Sequence, residues 1–323
     1  MGEDYALRFG KKYMKKTKAL VLFSGGLDSM LAAKILDALG IEVVPVCFIS
    51  YFFSAASAQK AARAIGMRLR AEDISPNHLE IVRNPVHGYG GAINPCIDCH
   101  LLMLKTAKRI MDAEGFEIVA TGEVLGERPM SQNKLSLDIV ERESGLAGIL
   151  LRPLSAKLLP ETAAEKNGLV DRNKLYGVSG RSRQPQMGLA KQFGITDIPQ
   201  PGGGCILTET EYGQRMRKLI SANPNFAGSD AKILQNCRPI WEGDILFAVA
   251  RHQADCAALK GLTKPGDYFF APQNFPGPSV LARNFNKAAQ GDTSYHLEEA
   301  GKKYVLQYSK KIPANSEISI AKI

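Results

Sequence analysis

Long apolar runs are missing from this sequence. No stretch approaches the ~18 consecutive apolar residues that a helix needs to cross a bilayer, so no membrane span is expected. Cysteine is scarce: six residues in 323, at 47, 96, 99, 205, 237 and 256. That density cannot staple a disulfide scaffold of this length, and it points to a reducing compartment. Residues 1–18 carry a charge run but no apolar core and no small-residue cleavage site. A secretory signal is therefore not expected, and a cytoplasmic protein is. There is no internal repeat and no low-complexity segment.

What is present is the composition of a packed globular chain, 45% hydrophobic and 23% charged, with a length that suits two domains. Lys and Arg number 41 against 32 Asp and Glu, a net charge of +9. An excess of this sign favours a polyanionic partner, because basic side chains release counterions from phosphates.

Three regions are expected. Residues 1–17 form a basic arm, with Arg8, Lys11, Lys12, Lys15 and Lys16 interleaved with Tyr5, Phe9 and Tyr13. Residues 18–222 alternate between short apolar runs and helical spacing. Strands are expected at 19–23, 43–49, 67–74, 116–120 and 148–151, and helices at 27–39, 55–65 and 97–113, with further helices near 184–193 and 209–220. Such alternation predicts an α/β fold, a doubly wound parallel sheet covered by helices. The Asn-, Pro-, Gly- and Ser-containing stretch 221–230 reads as a linker. Residues 228–323 then read as a smaller α+β domain, with strands near 244–251, 267–271, 279–282 and 303–308 and a helix near 254–262.

The first strand runs into Ser24-Gly25-Gly26-Leu27-Asp28-Ser29, and a helix follows. Glycines let the backbone approach an anion closely, and a helix start supplies free N–H groups and positive potential. The two serines add hydroxyl donors. Asp28 is out of place beside phosphates unless it binds Mg²⁺ or braces the loop. No Gly-Lys-Ser/Thr ending is present, so this is not a Walker loop. Nucleotide phosphates are the expected ligand.

Ser-Gly-Gly-Leu-Asp-Ser resembles the signature of the PP-loop ATP pyrophosphatases. Thr121-Gly122-Glu123 with Ser131-Gln132, Leu151-Arg152-Pro153-Leu154, Gly180 to Gln186, and Pro201-Gly202-Gly203-Gly204-Cys205 follow in the order of the 4-thiouridine synthetase branch. This resemblance covers about residues 18–220. Thr-Gly-Glu stands where 2-thiouridine synthetases usually carry Thr-Gly-His. The resemblance implies ATP with Mg²⁺, adenylation of a uridine carbonyl of tRNA, and displacement of AMP by sulfur from sulfide or a persulfide carrier. It implies nucleotide contacts at Ser24, Gly25, Gly26, Asp28, Ser29, Phe48, Gly122 and Glu123, with Asp28 also counted as catalytic. Planar guanidinium groups suit RNA phosphates, and Arg152, Arg181 and Arg183 are assigned there.

Cys96-Ile97-Asp98-Cys99 opens the long helix, so the two thiols share a face and sit in the helix dipole. Lowered pKa values are expected there. Cys205 follows three glycines. In a sulfur-transfer domain, this trio reads as functional, both catalytic and metal-ligating. Three chemistries are open: a [4Fe-4S] cluster with three protein ligands, a persulfide relay, or zinc with His100 or Asp98 as fourth ligand. Read as given, the sequence shows neither the N-terminal THUMP module nor the rhodanese domain of many 4-thiouridine enzymes, which tips the expectation toward the cluster. Cys47, Cys237 and Cys256 read as core or incidental thiols. The stretch His87-Gly88-Tyr89-Gly90-Gly91 reads as flexible, without a catalytic role.

Beyond residue 228, Val249 to Asp255 and Phe275 to Val280 resemble the RNA-binding domain of the NFACT family. That resemblance implies tRNA contacts, with Arg251, Lys260 and Lys264 facing phosphates and Trp241 in a core or a stacking surface. A homodimer is compatible with this reading.

Overall fold

The computed structural model describes residues 16–199, 205–285 and 294–323. The basic arm, except Lys16, and the glycines 202–204 lie outside the described residues.

In chain order the elements are β1 (Lys18–Leu22), α1 (Leu27–Ala38), β2 (Glu42–Ile49), α2 (Ala56–Ala64), β3 (Arg70–Asp73), α3 (Ser75–Arg83), α4 (Cys96–Glu114) and β4 (Ile118–Thr121). Then follow α5 (Lys134–Glu143), β5 (Leu150–Leu151), α6 (Ala163–Lys166), α7 (Gln184–Gln192), α8 (Thr210–Ala222) and α9 (Gly228–Gln235). The chain closes with β6 (Arg238–Glu242), β7 (Ile245–Val249), α10 (Gln253–Gly261), β8 (Tyr268–Pro272), β9 (Val280–Asn284), α11 (Ser294–Gln307) and β10 (Ile318–Lys322).

The first sheet has the order β3-β2-β1-β4-β5, and β1 pairs in parallel with both β2 and β4. Central strands of such a sheet are covered on both faces, which is why they read as unbroken apolar runs. Ala19, Leu20 and Val21 of β1 and Ile118, Val119 and Ala120 of β4 have no solvent exposure. The chain reverses direction of assembly at β1, from which β2 lies on one side and β4 on the other. In open α/β sheets this is where ligands bind.

The second sheet is antiparallel, in the order β10-β8-β9-β7-β6. Both of its faces are buried. Leu246 and Ala248 of β7, Leu281 of β9 and Phe269 of β8 join a cluster with Met216, Leu219, Phe226, Ile233 and Leu234. The alternate residues Phe247, Val249, Val280, Ala282 and Phe270 pack with Leu297, Tyr304 and Val305 of α11. A period of two split between two cores explains a strand that is apolar at every position.

The chain separates into two compact units. The first gathers residues 1–47, 56–71 and 104–200, and the second gathers 48–55, 72–103 and 201–323. The expected cut between 222 and 228 falls inside the second unit. The stretch 221–230 is not a linker: Phe226 is fully buried and α9 starts at Gly228. The strand expected at 303–308 is the end of α11, whose buried positions 297, 300, 304 and 305 follow the helical period. Helix α3, where no helix was expected, buries Leu79 and Val82 and carries Pro in its first turn, the place where a helix tolerates it.

Candidate functional site

In the first unit, β1 delivers the chain to the phosphate loop and α1 carries it away. Gly25 has φ +84°, and an added Cβ would lie 2.7 Å from the backbone of Ala58, so only glycine fits. Gly122, after β4, has no room either: a Cβ would lie 2.5 Å from the Asp28 carbonyl carbon and the Ser29 nitrogen. This close approach seats the Thr-Gly-Glu segment against the first turn of α1.

The loop is braced from within. Ser24 Oγ accepts from the Gly26 N–H at 3.2 Å, and Ser29 Oγ donates to the Gly26 carbonyl at 2.7 Å. Gly26 is the N-cap of α1, and no side chain caps the helix. The amides of a first helical turn lack intrahelical acceptors, so an uncapped start is open to an anion. Beside it, Asp28 Oδ1 is buried without a hydrogen-bond partner. Burial pushes the Asp28 carboxyl up from its ordinary value, against the opposing pull of Arg183, Gln186 and Arg128. Burial and the Asp28 charge likewise push up Glu127. An orphaned carboxylate oxygen beside an anion site fits a hard divalent cation such as Mg²⁺, which takes one or two carboxylates and shares the phosphates.

Arg183, assigned to RNA, stands within electrostatic reach of Asp28, while Arg181 is exposed. Arg152 corrects the sequence reading. Its side chain is 2% exposed, with Nε donating to Glu123 Oε2 at 3.0 Å and Nη1 to Glu141 Oε2 at 2.7 Å. A guanidinium spent on two carboxylates under the surface does not meet RNA. Glu123 Oε2 also accepts from Thr121 Oγ1 at 2.9 Å, so the pair braces the end of β4. Glu127, Arg128 and Gln186 were missed as site residues. Glu127 and Arg128 lie between two recognised segments and Gln186 within one, and composition gives no sign that they turn toward Asp28.

The second unit holds Phe48, buried in β2, and the three thiols. Cys96 and Cys99 sit in the first turn of α4, and Cys205 precedes a short 3₁₀ turn, Ile206–Thr208. The Ile93 N–H donates to the Leu207 carbonyl at 3.3 Å, and Arg217 Nη2 donates to the Ala92 carbonyl at 2.5 Å, which ties the two segments together. All three cysteines are free thiols. Asn94 Nδ2 donates to Cys96 Sγ at 3.0 Å.

Low thiol pKa values do not follow here. Burial pushes Cys99 well up, and Cys205, Cys96 and Asp98 add to the effect. Cys205 is pushed up to about 11, again by burial first, with Cys96 and Glu209 adding to it and a backbone hydrogen bond from Leu207 opposing. At Cys99, in the first turn of α4, desolvation outweighs the helix dipole. Cys99 thus lies within electrostatic reach of Cys96 and Cys205, and Cys205 within reach of Cys96. Among the described residues, no three His, Cys, Asp or Glu side chains converge on a single ion. The stretch from His87 is anchored: its N–H and its Nδ1 both engage the buried Asp98 carboxylate at 2.9 Å. Cys47 and Cys237 are core residues.

In the same unit Lys264 donates to Asp230 at 2.8 Å and is committed there, which corrects its assignment to phosphate. Arg251 and Lys260 are exposed, and Trp241 stacks on Phe285 at 5.8 Å. Among the described residues, no helix is long and apolar enough to cross a membrane.

Comparison with known proteins bears on the segment that carries the glycine loop. Residues 14–158 match the family model of the thiamine biosynthesis protein ThiI. The chain is 30% identical over 149 residues to a tRNA sulfurtransferase of Desulfurococcus amylolyticus, covering 42% of this chain and 29% of that protein. It is 26% identical over 178 residues to a probable tRNA sulfurtransferase of Thermococcus kodakarensis, covering 52% and 43%. The chain thus spans less than half the length of these curated relatives. Two solved structures are similar at 19% identity over 55% of this chain. One is a 4-thiouridine synthetase–RNA complex with bound ATP (TM-score 0.35, 52% of that chain). The other is a predicted subunit of tRNA methyltransferase from Methanocaldococcus jannaschii (TM-score 0.33, 76% of that chain). Ser24–Ser29 between β1 and α1, and Gly122 closing on it, lie within the segment that is similar to the ThiI family.

Proposed function

We propose that this chain is an ATP-dependent tRNA sulfurtransferase that converts a uridine to 4-thiouridine. One observation carries the reading: an unpartnered, buried Asp28 oxygen beside an uncapped helix start on a PP-loop.

ATP binds with its phosphates over Ser24–Ser29. Gly25 and Gly26 allow the close approach, the α1 amides and the serine hydroxyls donate to phosphate oxygens, and Arg128 and Arg183 offset the charge. Asp28 would hold Mg²⁺, which would supply charge neutralisation for the phosphates. The uridine O4 attacks the α-phosphate and the bond to pyrophosphate breaks. A sulfur nucleophile then adds at C4, and AMP departs with the former carbonyl oxygen. The protein's contribution is to orient the reactants and exclude water.

Cys96, Cys99 and Cys205 serve the sulfur step. If the site takes a [4Fe-4S] cluster, Cys96, Cys99 and Cys205 would be its protein ligands, and the cluster would supply a binding place for sulfide. Binding would require the thiols to lose protons, which burial makes Cys99 and Cys205 keep, so loading would release acid. The second unit, with exposed Arg251 and Lys260, takes the tRNA backbone.

Mass spectrometry of tRNA nucleosides from cells lacking the gene tests the reading. Loss of 4-thiouridine, restored by the wild-type gene and not by Asp28→Asn, supports it. Loss of a 2-thiouridine derivative instead moves the activated carbonyl to C2, and an unchanged nucleoside profile ends the proposal.

A further inference from the structure

Gln186 has no solvent exposure, and neither Nε2 nor Oε1 of its carboxamide lies within hydrogen-bond distance of a partner, although the side chain stands near enough to Asp28 to draw its carboxyl pKa down. Burying an amide with nothing to bond costs free energy comparable to a lost hydrogen bond or more. Its pull on the Asp28 carboxyl engages the amide only in part, since no donor or acceptor atom of it reaches hydrogen-bond distance. The orphaned amide therefore points to a ligand.

Its place in the fold names that ligand. Gln186 lies in the first turn of α7, a nine-residue helix whose N-cap, Arg183, makes no side-chain cap. Helix α7 packs against α1. Gln186 and Arg183 both stand beside Asp28, in the first turn of α1. Two helix starts, each uncapped, thus meet at one carboxylate, and each brings an unpaired polar atom. A carboxamide offers two donors and one acceptor. Phosphate oxygens take the donors, and the water shell of a phosphate-bound cation can serve the acceptor.

We propose that Gln186, with Arg183 and the start of α7, forms a second arm of the triphosphate site, opposite the glycine loop, that grips the polyphosphate destined to leave. This rests on the ATP reading above and adds a residue and a subsite to it. The arm recognises the β- and γ-phosphates rather than the nucleoside.

Titration calorimetry with ATP·Mg²⁺ and with AMP, on wild type and Gln186→Leu, tests it, alongside the melting temperature of the ligand-free proteins. Gln186→Leu is expected to weaken ATP·Mg²⁺ by about tenfold, the worth of one buried hydrogen bond to a charged group. AMP affinity stays at the wild-type value, and the ligand-free melting temperature is equal or higher, because an unpaired buried amide has been removed. A purely structural glutamine, or one holding a buried water, gives the opposite pattern: a lower melting temperature with ATP and AMP weakened alike. That result overturns the proposal, as does an unchanged ATP affinity. If Gln186→Leu does not fold, Gln186→Met carries the same test, and failure of both to fold makes the amide structural. Wild type that binds neither nucleotide sinks the ATP reading itself, an outcome distinct from a wild type that binds ATP and a variant that matches it.

Discussion

Asp28 and Asp230 occupy the same kind of position and are treated in opposite ways. Each lies in the first turn of a helix and each is withdrawn from water. Asp230 is closed on every side. It accepts from the Ala227 N–H at 2.7 Å, from Lys264 at 2.8 Å and from Arg283 Nη1 at 2.5 Å. Arg283 in turn gives Nε to Asp267 at 2.9 Å and Nη2 to the Leu262 carbonyl at 2.8 Å. Asp28 keeps one buried oxygen with no partner. The difference teaches where to look for function. A satisfied buried charge is part of the framework, whereas an unsatisfied one holds a place for something that arrives.

The largest expected effect breaks the framework side. Arg283→Met strands Asp230 and Asp267 as buried, uncompensated carboxylates and costs about 3–5 kcal/mol. Urea denaturation of the second unit should show the midpoint fall accordingly. A loss under about 1 kcal/mol would mean the network is not a closed structural unit.

His78 stands between the two cases. Its Nδ1 meets Ser50 Oγ at 3.1 Å, its Nε2 is buried without a partner, and Phe52 and Phe53 flank the ring. Burial lowers its pKa from 6.5 to about 4. The unfolded chain therefore holds more protons between those values. Stability is full above about pH 6.5 and falls as pH drops through the window, by roughly 3 kcal/mol at the acid end. The His78 share of that slope should be lost in His78→Leu when stability is followed from pH 7 to pH 4.

The smallest stability change belongs to Asp28→Asn, and its sign matters. Since burial raises the Asp28 pKa, its charge opposes folding above the ordinary carboxyl range. Asparagine should leave the protein as stable at pH 7 or raise it by about 1 kcal/mol, while turnover drops by more than about a hundredfold. A destabilised Asp28→Asn would place Asp28 on the framework side with Asp230.

Sequence made some of this legible. Strands β1 and β4 are continuous apolar runs because both faces are covered, and a glycine pair between a strand and a helix announces the phosphate loop. Other parts were hidden by local composition. The Asn-, Pro- and Gly-rich stretch before α9 looks like a linker, yet Phe226 within it is a core residue. Lys303 to Tyr308 looks like a strand, yet its contacts follow a helical period. Charged and amide side chains were hardest, since their partners lie far along the chain. Arg152 looks like an RNA contact until Glu123 and Glu141 close on it, and nothing marks Gln186 before its burial is known. Cys96 and Cys99 were placed correctly at a helix start, but the dipole argument omitted the burial that dominates Cys99.

The most direct test follows the phosphates. Protein purified without air is given ATP labelled at the α-phosphate, Mg²⁺, sulfide and unmodified tRNA, and the products are separated. The account predicts labelled AMP, formed only with tRNA present and in step with 4-thiouridine. Labelled ADP, or AMP formed at the same rate without tRNA, would contradict it.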